Sequence, residues 1–351
     1  MELQPYRSPG SARPLRPHRL ACLALPAAVL SVAAQAEVTP ATMLRLAPHV
    51  LKLEANTRSG QFAMGSAVLV GRDLVATNCH VTRDAVVVRL LHGGLRYTAV
   101  AQASDVRRDL CVLRVPGIEA EPAELAGAAE LRQGDPLLAI GHNFGQGIQF
   151  SEGKVVALNR LDGGQVIRSS NWFTSGASGG GLFDAQGRLA GILTFRLRGG
   201  PAHYYSIPAE WIAALAADPT RFRPVAPLEG RTFWEQDADQ QAPFLRAMAL
   251  GISRQWQSLA GFARQWAAID PDDAAAPMAL AEALEEVGEL AGAEAAAARV
   301  VALAPGDAEG WWRRGRLLAR LGRDADARTA LAHLQSLDVG LARQLAQVLE
   351  K

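Results

Sequence analysis

Cysteine is scarce in this chain, with three in 351 residues, at positions 22, 79 and 111. A disulfide-stapled miniature scaffold is thereby excluded. Clustered charge of one sign is missing too. Thirty-six basic and 35 acidic side chains leave a formal net charge of +1, and no long basic run occurs in the body of the chain. Binding to nucleic acid needs concentrated Lys and Arg against phosphate, so it is not expected. The longest uncharged apolar run, LACLALPAAVLSVAAQA, is too short and too Ala-rich for a comfortable membrane span. What is present is ordinary for soluble globular protein: 49% apolar and 20% charged residues. The length suggests about two domains.

Arg7, Arg13, Arg16 and Arg19 precede the apolar run, and Ala34-Gln35-Ala36 closes it. Small residues thus occupy the two positions a signal peptidase inspects. Residues 1–36 read as a secretory signal cleaved after Ala36, which sends the chain to the periplasm or the medium without stable membrane insertion. An uncleaved anchor is the competing reading. Lipidation at Cys22 is disfavoured because Arg19 stands where an apolar residue belongs. Cleavage leaves Cys79 and Cys111, enough for one disulfide or two buried thiols.

From about Val50 to Ile207 short apolar or alternating runs recur between turn residues, among them SAVLVG, DAVVVRLL, DLCVLRV, DPLLAIG, GKVVALN and RLAGILTF. Brief length, Val/Ile/Leu enrichment and Gly/Asp/Asn boundaries predict strands of an all-β barrel or sandwich within residues 37–221. Residues 222–239, beginning FRPVAPLEG, read as a linker. Residues 240–351 are rich in Ala, Leu, Arg and Glu at helical spacing. Here Gly288 and Gly322, Ala293 and Ala327, and Pro271 and Pro305 are each 34 positions apart. The region resembles the tetratricopeptide family, as helix-turn-helix units with Trp311, Gly315, Gly322 and Ala327 at packing positions. Pro277 stands where Trp311 recurs, and a fainter first unit carries Arg254 in place of the turn glycine. GLARQLAQVLEK would cap the array. Trp311 and Trp312 are read as packing residues, and a plain helical bundle is the alternative.

Three residues qualify for nucleophilic chemistry. His80 lies in LVATNCHVTRD, where an apolar strand runs into NCHV; Asp109 heads a strand in RRDLCVLRV; Ser178 lies in GASGGGL. Such catalysis needs a base within hydrogen-bond reach of the hydroxyl, a carboxylate that holds the base, and amides aimed at the oxyanion. Alone, each is commonplace: a His at a strand end is most often structural, an Asp before a strand is usually a turn residue, and a Gly-Ser cluster is usually a loop. Their joint occurrence in one β segment is harder to dismiss.

The stretch from Met64 to Pro208 resembles trypsin-like serine proteases of the bacterial Deg/HtrA type. GSAVLVGRDLVATNCHV is similar to that family's histidine motif, DVRRDLCVLRV to its aspartate motif, and TSGASGGGLFDAQGRLAGI to its nucleophile loop. AIGHNFGQGIQFSEGKVVAL and YYSIPAEWI resemble its second-barrel hairpin and closing strand. The resemblance implies two six-stranded β-barrels with the site between them. His80 would be the general base, Asp109 (rather than Asp105) its orienter and Ser178 the nucleophile, with the amides of Gly176 and Ser178 as oxyanion hole. Ala177 replaces the aspartate that traps a new N-terminus in digestive relatives, and Gly181 stands where proline is common. No PDZ domain is apparent; the helical repeats occupy that place. A disulfide between Cys79 and Cys111 is expected, because Asp109 reaching His80 would make the sulfurs neighbours.

By the same resemblance the substrate pocket is walled near Trp172, Phe173, Thr194, Phe195 and Arg196, with no acidic residue to select Lys or Arg. A small or medium apolar side chain is expected there; Arg196 and Arg198 would alternatively favour an acidic neighbour, while His203 reads as a solvated loop histidine rather than a third member. His49, His92, His142 and His333 receive no role. No cofactor is expected, nor a metal, since two cysteines with the one essential histidine, His80, make a poor ligand set. The leading expectation is an exported serine endopeptidase acting on polypeptides, with helical repeats that bind a protein partner or substrate. The alternatives are a non-catalytic scaffold that keeps the protease fold and a chaperone-like binding protein.

Overall fold

The computed structural model describes residues 39–127, 130–143, 147–197 and 203–350. The proposed signal segment and Arg198 lie outside the described residues. After a short helix, α1 (Pro40–Leu46), seven strands follow: β1 (Val50–Thr57), β2 (Phe62–Gly71), β3 (Leu74–Thr77), β4 (Ala85–His92), β5 (Leu95–Thr98), β6 (Ala101–Asp105) and β7 (Leu110–Arg114), with the one-turn helix α2 (Cys79–Thr82) between β3 and β4. Their Val, Leu and Ala side chains alternate across the pleat, and Leu51, Leu53, Ala67, Leu69, Val88 and Leu90 meet in one buried cluster.

The expected first six-stranded barrel takes a different form. These strands make a seven-stranded sheet in the order β5-β4-β1-β2-β3-β7-β6. Strand β5 is short and largely exposed, so it does not extend a ladder to β6. The chain crosses over instead: the Ala99 amide donates to the Val88 carbonyl and the Val100 amide to the Arg114 carbonyl, each at 2.9 Å. The sheet curls back on itself there without closing.

The second half closes fully. Strands β8 (Pro136–Asn143), β9 (Gly147–Leu161), β10 (Gly164–Ser169), β11 (Gly181–Phe183), β12 (Leu189–Leu197) and β13 (His203–Pro208) form a barrel in the order β10-β13-β12-β11-β8-β9. Closure leaves no unpaired edge. Helix α3 (Glu210–Ala216) follows and buries Trp211, Ile212 and Leu215.

Residues 222–239, which read as a linker in sequence, are packed along the β region. The Arg223 and Gln102 backbones exchange two hydrogen bonds, the Leu228 amide donates to the Arg83 carbonyl, and the Phe233 amide to that of Arg107. Phe233 is 1% exposed. Its ring lies 5.7 Å from Phe195 of β12 and 6.4 Å from Phe244 of the next helix. One apolar cluster therefore runs from the closed barrel through this strap into the helices.

The C-terminal region holds α4 (Pro243–Ile252), α5 (Trp256–Ile269), α6 (Ala275–Glu286), α7 (Leu290–Leu303), α8 (Ala308–Arg320), α9 (Asp324–Leu337) and α10 (Val339–Leu349). Small residues let the helices approach: a side chain at Gly315 would run into Leu345 and Ala330. The turns before α5, α7 and α9 carry left-handed residues at Arg254 (φ 54°), Gly288 (φ 84°) and Gly322 (φ 72°). Arg254 thus takes the backbone conformation of the two glycines at equivalent turns, a strained choice for a residue with a Cβ. Toward the closed barrel, Lys154 pairs with Asp338 at 3.0 Å and Arg160 with Asp270 at 3.1 Å. Exposed pairs of this kind orient more than they stabilise.

Candidate active site

Three pieces of chain meet where the open sheet faces the closed barrel. Strand β3 ends at Thr77, and Asn78 carries the chain into α2, which presents His80. Opposite Thr77 in the ladder is Cys111 of β7, so the residue two before Cys111 is delivered beside His80. That residue is Asp109, with φ 57°, a left-handed conformation that Asp tolerates better than most residues.

The Asp109 carboxylate is fully buried and would be costly there without partners. Three donors meet it. His80 Nδ1 lies 2.6 Å from Oδ2, the His80 amide donates to Oδ1 at 2.8 Å, and Trp234 Nε1 donates to Oδ2 at 3.3 Å. The carboxylate thereby holds both the ring and the backbone of His80. Behind it, Asn78 Nδ2 donates to the Asp109 carbonyl at 3.0 Å and to Thr194 Oγ1 at 3.2 Å. Cys79 and Cys111 form a disulfide with a Cα–Cα distance of 5.0 Å, tying the neighbours of His80 and Asp109 together.

Ser178 enters from the closed-barrel side, on the loop before β11. Its backbone carbonyl accepts from the Ser66 amide at 2.8 Å, and Ser66 Oγ donates to the Gly176 carbonyl at 2.9 Å. The His142 amide in turn donates to Ser66 Oγ at 2.8 Å. Ser66 of β2 thus stitches the loop to both halves of the β region. Gly179, at φ +88°, turns the chain away, and a Cβ there would collide with the Ser66 carbonyl and the Thr77 hydroxyl. Only glycine meets both demands.

The Ser178 hydroxyl donates to the Thr194 carbonyl at 3.2 Å. Gly176 has φ +96°. Among the described residues, no hydrogen-bond acceptor faces the Gly176 or Ser178 amide.

A shallow cavity opens beside the Ser178 loop, lined by Ala139, Gly141, Asn143, Gln149, Phe150, Ser151, Trp172, Phe173, Ala177 and Leu193. No acidic side chain is among these residues. Of the five pocket residues expected from sequence, Trp172 and Phe173 line it. Thr194 is buried in hydrogen bonds to Asn78, the Ile192 carbonyl and the Ile207 amide. Arg196 lies farther along β12 opposite Tyr204. Phe195 faces another way: it stacks on Tyr205 at 4.8 Å and on Trp234 at 5.3 Å, and is only 8% exposed. His203 begins β13, its pKa lowered by burial and by the nearby Arg168.

Sequence reasoning missed Ser66, Asn78 and Trp234. The first two stand inside motifs that flag their neighbours, within GSAVLVG and NCHV. Trp234 left no local signal. It comes from the strap, 125 positions after Asp109, and its edge meets the His80 ring at 5.6 Å and 86°. The strap is pinned beside it by a two-pronged pair: Arg83 Nη1 and Nη2 donate to the two Glu235 oxygens at 3.0 and 2.6 Å. The Arg83 hydrogen bonds, helped by the Thr232 amide, hold the Glu235 carboxyl down at about 2.

The chain is similar to known proteins over its β region. Residues 65–192 match the trypsin-like peptidase domain family. The periplasmic serine endoprotease DegP of Escherichia coli is 33% identical over 141 residues, covering 38% of this chain and 30% of that protein. The serine endoprotease DegS of Haemophilus influenzae is 30% identical over 143 residues, covering 38% of this chain and 42% of that protein. Among solved structures, the HtrA-type protease AlgW with a tripeptide aligns at 29% identity and a TM-score of 0.46, covering 50% of this chain and 61% of the other. The chain spans less than half the length of these two curated relatives.

Proposed function

We propose that this chain, whose residues 65–192 form a trypsin-like peptidase domain of the Deg/HtrA type, is a serine endopeptidase acting through Ser178, His80 and Asp109. The observation that carries the reading is the double grip of a buried Asp109 on His80, ring and backbone together. A carboxylate so placed fixes the tautomer that leaves Nε2 free to accept a proton.

In the proposed mechanism the Ser178 hydroxyl turns about its Cα–Cβ bond from the Thr194 carbonyl toward His80 Nε2. Catalytic hydrogen bonds commonly tighten only with substrate bound. His80 takes the proton as Ser178 Oγ attacks the scissile carbonyl. The oxyanion is received by the Gly176 and Ser178 amides, a donor type worth about 2.7–4 kcal/mol each when removed. His80 then protonates the leaving amine, and water repeats the sequence to release the acyl group. The cavity beside Ala177 takes the side chain at the scissile residue, and its lining favours a small or medium apolar one.

Ala177 has no carboxylate with which to trap a new N-terminus, so control is assigned to partners, location or the helical region. The helices are proposed to be tetratricopeptide-like, on the strength of left-handed turns at 254, 288 and 322, and to bind a protein partner or substrate segment. Export by the N-terminal 36 residues and a periplasmic site of action belong to the same proposal; both named relatives are endoproteases, and DegP is described as periplasmic.

A fluorophosphonate probe tests the core of the reading. The intact chain should be labelled on Ser178, and Ser178→Ala and His80→Ala should not be labelled. Intact, folded protein that fails to react, alone and with candidate partners, would favour a binding scaffold.

A further inference from the structure

Trp234 stands outside the matched peptidase region yet touches the centre of the site. Its indole makes three contacts, each with a different consequence. Nε1 donates to Asp109 Oδ2, the oxygen that also faces His80 Nδ1. Its edge abuts the His80 ring. Its face covers Phe195, the residue of β12 that sequence reasoning placed in the substrate pocket and that is buried instead. Trp234 itself is half-buried.

An extended substrate directs successive side chains to opposite sides. With the scissile residue in the cavity next to Ala177, the preceding side chain falls on the other side, toward His80. There the Trp234 indole, stacked over Phe195, abuts the His80 ring. Resting on the assignment of Ser178, His80 and Asp109 above, we propose that Trp234 does two things in peptide hydrolysis. It is a positioning residue that steadies Asp109, and it is the wall that selects the substrate side chain immediately before the scissile residue. The strap holds it in place through Arg83–Glu235 on one side of the indole. On the other side Phe233 packs between Phe195 and Phe244 of α4. The cleft of this protein is therefore finished by residues that follow the peptidase domain, and the first helix of the C-terminal region packs directly behind them.

The test uses the full chain as wild type, Trp234→Phe and Trp234→Ala. The substrates are succinyl-Ala-Ala-X-Val-p-nitroanilides in which X is Ala, Leu or Phe. Wild type is expected to prefer Leu or Phe over Ala at X by tenfold or more in kcat/KM. Trp234→Ala should lose that preference while still reacting with fluorophosphonate, which carries no side chain for the wall to grip. Trp234→Phe keeps a ring but loses the N–H; it should retain the preference within about threefold and lose kcat with little change in KM. An even fall across the three peptides in Trp234→Ala overturns the wall. An unchanged kcat in Trp234→Phe overturns the positioning role. Wild type that does not label with fluorophosphonate overturns the underlying assignment instead, so the two failures are told apart.

Discussion

Replacing both Cys79 and Cys111 by alanine removes the disulfide without leaving a lone thiol, and its effect can be estimated from chain length alone. The bridge closes a loop with a sequence separation of 32. In the chain-entropy description such a loop restricts the unfolded chain by about 12 cal/mol/K, or roughly 3.7 kcal/mol at 25 °C. Both sulfurs lie in packed surroundings, with Cys79 1% and Cys111 0% exposed, so the loss of packing adds to the destabilisation. For a domain of this size each kcal/mol lowers the melting temperature by about 2–4 °C, which gives a fall of roughly 7–15 °C. Scanning calorimetry of the double variant against oxidised wild type measures it directly. The loss should reach the site as well, because the bridge joins the residue before His80 to a residue two beyond Asp109. Fluorophosphonate labelling of the variant should therefore decline at temperatures well below its melting point. A melting shift under about 2 °C would refute the reasoning, because the bridge would then not restrict the unfolded chain by the amount its loop length requires.

Three further outcomes are expected. Gly179→Ala places a Cβ on the Ser66 carbonyl at a left-handed position, so it should abolish fluorophosphonate labelling and cost more than about 2 kcal/mol in urea unfolding; wild-type labelling would contradict the assigned turn. Asn78→Ala removes one of two donors from each of the Asp109 carbonyl and the Thr194 hydroxyl, which keep the Cys79 and Ile207 amides, and should destabilise by about 0.5–1.5 kcal/mol in the same assay. Glu235→Gln addresses the strap. The Glu235 carboxyl is held at about 2 against an ordinary value of 4.5, so the stability it contributes is present above about pH 4.5 and is lost as pH falls through about 2. The difference in urea midpoint between wild type and Glu235→Gln should follow that window, and a difference independent of pH from 6 to 2 would refute the pairing with Arg83.

Much of the site was legible in the linear chain because each member sits in a motif whose neighbours are constrained by the same geometry. NCHV places His80 just after β3, RRDLCV places Asp109 just before β7, and GASGGG supplies the backbone freedom the Ser178 loop requires. The pocket was legible only in part. Trp172 and Phe173 line the cavity, whereas Thr194 is committed to hydrogen bonds and Phe195 lies under Trp234. Neighbouring residues on a strand point to opposite faces, and which face is covered depends on chain that arrives from elsewhere.

That same division runs through the whole protein. Strand and helix periodicity and the turn positions at 254, 288 and 322 follow from local pattern, because backbone propensity and turn chemistry act over a few residues, whereas Ser178, His80 and Asp109 were singled out by joint occurrence and by resemblance to a family. The curl of the first sheet, the path of residues 222–242 and the arrival of Trp234 on Asp109 come from contacts between residues far apart in the chain. FRPVAPLEG looks like a linker because it has no periodicity of its own. Its order comes from partners at Gln102, Arg83 and Arg107, and nothing within the segment could announce them.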